Sequence, residues 1–334
     1  MALCIAVDAM GGDNAPNAVI QGAISALESA DDPLQILLFG PTDRVQPLLD
    51  EAGVSSDLPL KLVDAPDVIE MTDSPAAAVK KKRESSIHLG LGAHKKGDAD
   101  AFISAGNTGA VMATSMFTLG RISGVERPSI AGYFPTLRGF SIVVDIGTNV
   151  DCRPEHLVQF ARMASVYTQH VLGTENPSVG LLNIGEEPGK GNEQVKAAFD
   201  LLGEAEDINF KGNVEGSDLL DYAADIIVCD GFVGNILLKF GESMTTVLKK
   251  MTAQEMERQQ LPPEDQQVVA GVLSEVSKGF DADHRGGAPL LGVDGNVMIG
   301  HGRSNADAIE QMIHATADLV RSNVVNELKD AFGE

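Results

Sequence analysis

Six short apolar runs in this chain end in loops that mix glycine with asparagine, aspartate or threonine. They are Asp8-Ala9-Met10-Gly11-Gly12-Asp13-Asn14, Ser104-Ala105-Gly106-Asn107-Thr108-Gly109, Asp145-Ile146-Gly147-Thr148-Asn149, Asn183-Ile184-Gly185-Glu186-Glu187 with Gly189-Lys190-Gly191-Asn192, Asp230-Gly231-Phe232-Val233-Gly234-Asn235, and Gly300-His301-Gly302-Arg303-Ser304-Asn305. Glycine permits positive φ and lets a ligand come close to the backbone. Several of the loops run straight into helix-period segments, whose N-termini present unpaired N–H groups to anions. Asparagine and threonine add neutral hydrogen bonds. Any one of these loops is equally well a tight strand-to-helix turn with an N-cap. Six at one sheet edge imply a large, polar, phosphate-accepting cleft. Asp8, Asp145 and Asp230 each end a strand, where a carboxylate caps a helix and braces a loop, or orients a ligand. His301, between two glycines, fits a general base, a phosphate ligand or a loop brace.

Sharper signatures fail. Gly90-Leu91-Gly92 lies inside a helical pattern and lacks the third glycine of a dinucleotide fingerprint. Gly185 to Gly189-Lys190 is one residue short of a Walker A loop, and Gly191 replaces its Ser/Thr. Phe102 stands where a nucleophile elbow around Ser104 needs its first glycine. No HExxH is present, and no carboxylate spacing demands a metal. Cys4, Cys152 and Cys229 are too far apart in sequence for a zinc or CxxC site and read as small buried or half-buried thiols. His88, His94, His156, His170, His284 and His314 sit mostly in helical patterns and read as surface or packing residues.

The elements that must position these loops alternate. Strands are expected at Leu3–Asp8, Gln35–Gly40, Leu60–Val63, Ala101–Ser104, Ser141–Asp145, Ser178–Ile184, Asp225–Asp230 and Asn296–Gly300. Runs such as SIVVD and IIVCD are apolar throughout, as in parallel strands buried on both faces. Pro16 opens a helix carrying Val19, Ile20, Ala23, Ile24 and Leu27 on one face. Pro154 opens another, stopped at Gly173, and Ile309, Met312, Ile313, Thr316 and Val320 stripe the last. The alternation predicts a mostly parallel sheet in a Rossmann-like three-layer α/β fold, as one catalytic domain over 1–334. Ligands then bind beyond the carboxyl ends of the strands. Residues 241–285 read as a protruding hairpin of two helices joined near Leu261-Pro262-Pro263, the second striped by Val268, Val269, Val272, Leu273, Val276 and Phe280. The stripe is expected to pack on the body or a second subunit, with a membrane-touching tip as the alternative. An excess of acidic residues there weakens the lipid reading.

Composition bounds the rest. The 334 residues carry 25 Lys+Arg against 48 Asp+Glu, a formal charge of −23, which excludes a general nucleic-acid binder. Hydrophobic content of 43% excludes wholesale disorder. The N-terminus lacks a charged region and a long apolar core, so it does not read as a signal peptide. No apolar run approaches the ~18 residues of a membrane span. The expectation is a cytoplasmic protein, with peripheral contact at the inner face of the cell membrane left open.

Seven segments occur in order: DAMGGD (8–13), SAGNTGA (104–110), DIGTNVD (145–151), NIGEEPGKGN (183–192), VCDGFVGN (228–235), GGAPLLGV (286–293) and HGRSNADAI (301–309). Together they closely resemble the bacterial acyl-acyl carrier protein:phosphate acyltransferase (PlsX) family of phospholipid synthesis, nearly end to end. Met71 through Ser86 also resembles the family, with Lys80 where relatives commonly carry Arg. Thr148 stands where many have Ala. The resemblance implies transfer of a long acyl chain from acyl carrier protein to inorganic phosphate. The acyl phosphate formed is used by a membrane glycerol-3-phosphate acyltransferase. It also implies a homodimer, no redox cofactor, and a fold similar to isocitrate/isopropylmalate dehydrogenases and phosphotransacetylases. A phosphotransacetylase-like enzyme using acyl-CoA and a non-catalytic membrane-surface scaffold are the competing readings.

Phosphate is its own nucleophile, so such chemistry needs positioning and oxyanion stabilisation rather than a Ser, Cys or Lys nucleophile. On that reading Asn107, His301 and Asn235 are the candidate catalytic residues. Asp8, Gly11, Gly12, Asp13, Gly106, Thr108, Gly109, Asn149, Lys190, Asn192, Asp230, Ser304 and Asn305 are the candidate phosphate and substrate contacts, with Lys190 or Arg303 balancing phosphate charge. Lys80, Lys81, Lys82 and Arg83, with Lys95 and Lys96, form one helical basic stretch expected to dock an acidic carrier protein.

Overall fold

In the computed structural model, residues 2–55, 57–278 and 285–333 are described. Phe280 and His284 lie outside them. The chain is a mixed α/β protein with mostly parallel strands, in two compact units that are each built from separated chain segments.

The first unit takes residues up to 131, 162–176 and from 285 on. Its strands are β1 (Leu3–Asp8), β2 (Leu34–Gly40), β3 (Leu60–Asp64), β4 (Ala101–Ser104) and the first residues of β5 (Ser129–Thr136), joined late in the chain by β10 (Ala288–Leu291) and β11 (Val297–Ile299). Their order is β3-β2-β1-β4-β11-β10-β5. All pair in parallel except β10, which is antiparallel to both neighbours. β4 is buried along its whole length, and Ile5, Val7, Ile36, Leu38, Phe102 and Ile103 are sealed from solvent. That is the environment a both-faces-covered parallel strand demands. The helices are α1 (Asn17–Glu28), α2 (Thr42–Glu51), α3 (Pro75–Lys81), α4 (Ser86–Lys96), α5 (Thr108–Thr118), α10 (Ala306–Arg321) and α11 (Val324–Ala331).

The second unit takes 132–161 and 177–278 of the described residues. Its strands β6 (Gly139–Val144), β7 (Ser178–Asn183), β8 (Asn209–Glu215) and β9 (Ile226–Val228) are parallel in the order β6-β9-β7-β8. Its helices are α7 (Glu193–Glu204), α8 (Gly231–Arg258) and α9 (Pro263–Lys278). α6 (Pro154–His170) begins in this unit and ends in the first.

The structure changes some sequence expectations. The basic stretch is not one helix: α3 stops at Lys81 and α4 starts at Ser86, capped by the Ser85 hydroxyl, which accepts from His88 N. The helix at 306–321 is not the last, because Asn323 turns at φ 56 and α11 follows. α8 is also longer than the expected hairpin arm, starting at Gly231.

Candidate functional site

β1, β4 and β11 are parallel neighbours, so the loops after Asp8, Ser104 and Gly300 leave the first unit at the same edge. Asp8 is the hub. It is 3% exposed and accepts from Met10 N (3.0 Å) and from Ser104 Oγ (2.7 Å). Burial pushes its carboxyl pKa up, against hydrogen bonds from Ser104 and Ser86. Ser104 Oγ in turn accepts from Gly106 N at 3.0 Å. Gly11 fits under this network only as glycine. A Cβ there would stand 2.6 Å from Asp8 Oδ2 and 2.7 Å from Gly106 N. Gly12 has φ +106, and Asp13 N donates to Gly302 O at 2.6 Å, stitching the first loop to the last. Asn14 Nδ2 donates to the carbonyls of Arg303 and Ser304 (3.0 and 3.2 Å).

Asn107 caps α5, its Oδ1 accepting from Ala110 N at 3.0 Å. Its Nδ2 faces the carbonyls of Glu70, Met71 and Asp73 at 3.3, 3.1 and 2.9 Å. The side chain therefore holds the 70–73 loop, and its donors are engaged within the protein. Thr108 and Gly109 form the first turn of α5, with Thr108 exposed. Asn305 caps α10 by accepting from Ala308 N at 2.9 Å, and Ser304 is buried beside it. His301 is half-buried, and its Nδ1 accepts from Arg303 N at 3.3 Å.

Beside these loops lies a cavity of about 350 Å³, walled by Met10, Gly12 and Asp13, by Val68, Glu70, Met71 and Thr72, and by Arg44 of α2. Its 68–72 wall is tied twice: by Asn107, and by Lys82 Nζ, which donates to Val68 O (2.6 Å) and Asp73 Oδ2 (2.5 Å). Lys82 holds the Asp73 carboxyl below its ordinary pKa. Lys82 is thus half-buried in a structural tie and does not join Lys80, Lys81 and Arg83 on the surface. Lys95 likewise donates to Leu119 O at 2.9 Å.

The second unit repeats the arrangement with β6, β9 and β7 as parallel neighbours. Asp145 is fully buried and braces its own loop, accepting from the backbone N–H groups of Gly147, Thr148 and Asn149, from Thr148 Oγ1 (2.6 Å) and from Asn149 Nδ2 (2.8 Å). Asp230 caps α8, accepting from Val233 N at 2.8 Å. Asn149 O accepts from Gly231 N at 2.7 Å, and a Cβ on Gly147 would touch Asn235. The Cys229 thiol is buried, and burial together with Asp145 and Asp230 raises its pKa well above normal. On the β7 loop, Asn183 Nδ2 donates to Lys190 O (3.1 Å), Asn192 caps α7, and the exposed Lys190 ammonium lies 3.8 Å from Glu187.

The candidates from sequence thus fall into two clusters. Asp8, Gly11, Gly12, Asp13, Gly106, Asn107, Thr108, Gly109, His301, Arg303, Ser304 and Asn305 gather in the first unit. Asn149, Asp230 and Asn235 gather in the second, with Lys190 and Asn192 on the adjoining β7 loop. Sequence reading missed Arg44 and gave the 68–72 loop no role in the site. The signal for Arg44 was Phe39-Gly40-Pro41: β2 pairs with β1, so its carboxyl end opens on the same edge. Among the described residues no group of three His, Cys, Asp or Glu is placed to hold a metal, and no helix is long and apolar enough to cross a membrane.

Residues 3–327 match the family model described as "Fatty acid synthesis protein". The chain is 63% identical over 328 residues to a phosphate acyltransferase of Salinibacter ruber, covering 98% of this chain and 97% of the relative. It is 48% identical over 330 residues to the phosphate acyltransferase of Chlorobaculum parvum, with 96% of each covered. Among solved structures it is similar in fold to a phosphotransacetylase from Streptococcus pyogenes, with TM-score 0.65 and 16% identity over 96% of this chain and 94% of that one.

Proposed function

From a chain that belongs to the phosphate acyltransferases of the fatty acid synthesis protein family, an acyltransferase with phosphate as a substrate, we propose the following reaction. A long-chain fatty acyl group passes from acyl carrier protein to inorganic phosphate by direct attack, giving acyl phosphate for phosphatidic acid synthesis. The observation that carries direct attack is Ser104. It is the hydroxyl at the centre of the first cluster, yet it is 1% exposed, donates to Asp8 and accepts from Gly106 N. Cys229 is equally withdrawn, its thiol kept protonated by burial. A thioester needs neither residue. A phosphate oxygen attacks the carbonyl carbon, the C–O bond forms, the C–S bond breaks, and the proton of the hydrogen phosphate ends on the departing sulfur. What the protein supplies is positioning and charge stabilisation by N–H groups at helix N-termini and by the His301 side chain. Arg303 balances phosphate charge.

Incubation with labelled phosphate and either palmitoyl-acyl carrier protein or palmitoyl-CoA tests the reading. Acyl phosphate from the carrier-protein donor is expected. Product from palmitoyl-CoA alone returns the reaction to the phosphotransacetylase type, and an acyl group trapped on Ser104 or Cys229 overturns direct transfer.

Lys80, Lys81 and Arg83 are exposed at the α3–α4 corner, next to the loop that walls the cavity. They are the proposed docking patch for the acidic carrier protein, with Lys82 as the tie behind them. Charge reversal of Lys80, Lys81 and Arg83 is expected to raise KM for acyl-acyl carrier protein about tenfold, more steeply at low salt, and to leave KM for phosphate unchanged. An unaltered carrier-protein KM moves the docking surface elsewhere. The apolar face of α8, with Phe232, Ile236 and Phe240 more than half exposed, and Val268, Val272 and Val276 on α9, is the proposed dimer-forming surface. A membrane-touching tip is the alternative use of the hairpin, and would place the enzyme beside the glycerol-3-phosphate acyltransferase that takes its product.

A further inference from the structure

The cavity beside the first cluster has a mixed apolar and polar lining. Its volume of about 350 Å³ falls at the small end of ligand pockets, roughly 300–1,000 Å³. Met10, Val68 and Met71 give it apolar wall, and methionine adapts its shape to what it meets. Asp13, Glu70 and Thr72 set hydrogen-bonding groups among them. Arg44 is the sole cation in the lining, and it forms no ion pair among the described residues. Gly12 and Asp13 belong both to this lining and to the loop stitched to Gly302. One end of the cavity therefore adjoins the loops assigned to phosphate, while a lone guanidinium marks its wall.

We propose that this cavity seats the pantetheine arm of the acyl donor, with Arg44 meeting the phosphate group at the arm's head. The inference rests on the acyl-thioester reading above. The chemistry of the arm corresponds to the lining piece by piece. Two amide N–H groups meet carboxylate and hydroxyl acceptors at Asp13, Glu70 and Thr72. The methylene segments and gem-dimethyl group meet Met10, Val68 and Met71. The anionic head meets Arg44, for which a guanidinium is well shaped. The thioester end is then directed toward the Gly11-Gly12 and 104–109 loops. The twofold tie of the 68–73 loop, by Asn107 and Lys82, keeps the cavity open before the donor arrives, which lowers the ordering cost of binding. A free acyl-CoA and an acyl carrier protein share this arm.

Three donors separate the contacts: palmitoyl-acyl carrier protein, palmitoyl-CoA, and palmitoyl-pantetheine, which lacks the head phosphate. Arg44→Ala is expected to raise KM about tenfold for the first two and leave the third unchanged. Met71→Trp, which fills the cavity from an exposed position, is expected to raise KM for all three and leave KM for phosphate unchanged. Thermal unfolding of both variants at the wild-type midpoint excludes a folding defect. Arg44→Ala acting on all three donors alike, on the carrier protein alone, or on none removes Arg44 from the head group. Met71→Trp without a donor KM change removes the arm from the cavity. Calorimetric titration with pantetheine is independent of turnover: binding to the wild-type protein that Met71→Trp abolishes upholds the cavity even if no donor yields acyl phosphate. No binding, with all donors turned over, overturns the cavity and leaves the reaction standing.

Discussion

Gly234→Ala is expected to unfold the protein at a markedly lower temperature, by roughly 6–12 °C for a cost of about 3 kcal/mol. The reason is local and steric. A Cβ at this position would stand 2.0 Å from the Asp145 carbonyl oxygen and 3.0 Å from Cys229 Sγ. The first is a backbone atom and cannot rotate away. It belongs to the residue whose carboxylate braces the 147–149 loop, so relief must come from moving α8 or that loop. Gly271 provides the contrast. It lies inside α9 with open space where a Cβ would go. Gly271→Ala is expected to raise the midpoint by a few degrees, for a gain of about 0.5–1 kcal/mol. Circular dichroism melts of the two variants make the comparison, and equal midpoints would refute the close approach at Gly234.

The second large effect belongs to Asn107. Replacing it with Ala removes the α5 cap, a loss of about 0.5–2 kcal/mol, and takes the donor from three carbonyls of the 70–73 loop. The expected outcome is a stable but weakened fold with kcat/KM reduced well over tenfold. Asn107→Asp separates the two jobs of the amide. The carboxylate keeps the cap and favours the helix N-terminus. It has no N–H to offer, however, and it sets a negative charge against the Glu70, Met71 and Asp73 oxygens. Its melting midpoint is expected above that of the Ala variant, while limited proteolysis between residues 66 and 75 becomes faster in both. Full activity with an uncut loop in Asn107→Ala would take this loop out of the site.

What the sequence revealed and what it concealed follow from the same physics. β1 and β4 were legible to the residue because both are short, mostly apolar runs, with Asp8 closing β1 and Asp100 preceding β4. β5, β8 and β10 were not. β5 carries Gly132 and Pro135, β10 carries Pro289, and β8 has Gly212 at φ +109 beside a break in register between Val179 and Gly180. Strands with glycine, proline or irregular pairing lose the alternation by which strands are read. The loops of both clusters were found because glycine and asparagine mark them directly. The use of those asparagines was harder to see. Asn107, Asn192 and Asn305 all cap helices, so the residue type that suggested ligand contact first serves the backbone. Lys82 shows a similar limit. It sits in a basic run, and only a fold that brings Val68 and Asp73 to it sets it apart from Lys81.

The late arrival of β11 governs how the first unit can be made. β4 is hydrogen-bonded on one side to β1, but its other neighbour is β11, through Phe102 with Val297, Ile103 with Met298 and Ser104 with Ile299. During synthesis a ribosome delivers β4 long before β11. Until then the edge of a strand that ends up fully buried stays open, in the middle of what will be the sheet, and an unpaired strand edge can recruit other chains. The helix that covers this region, α10, comes later still. The burial of the Asp8–Ser104 network beside β11 is therefore expected to be completed only near the end of translation. Yield in the cell is accordingly expected to rise with chaperone supply, and soluble yield with and without a co-expressed chaperone checks it.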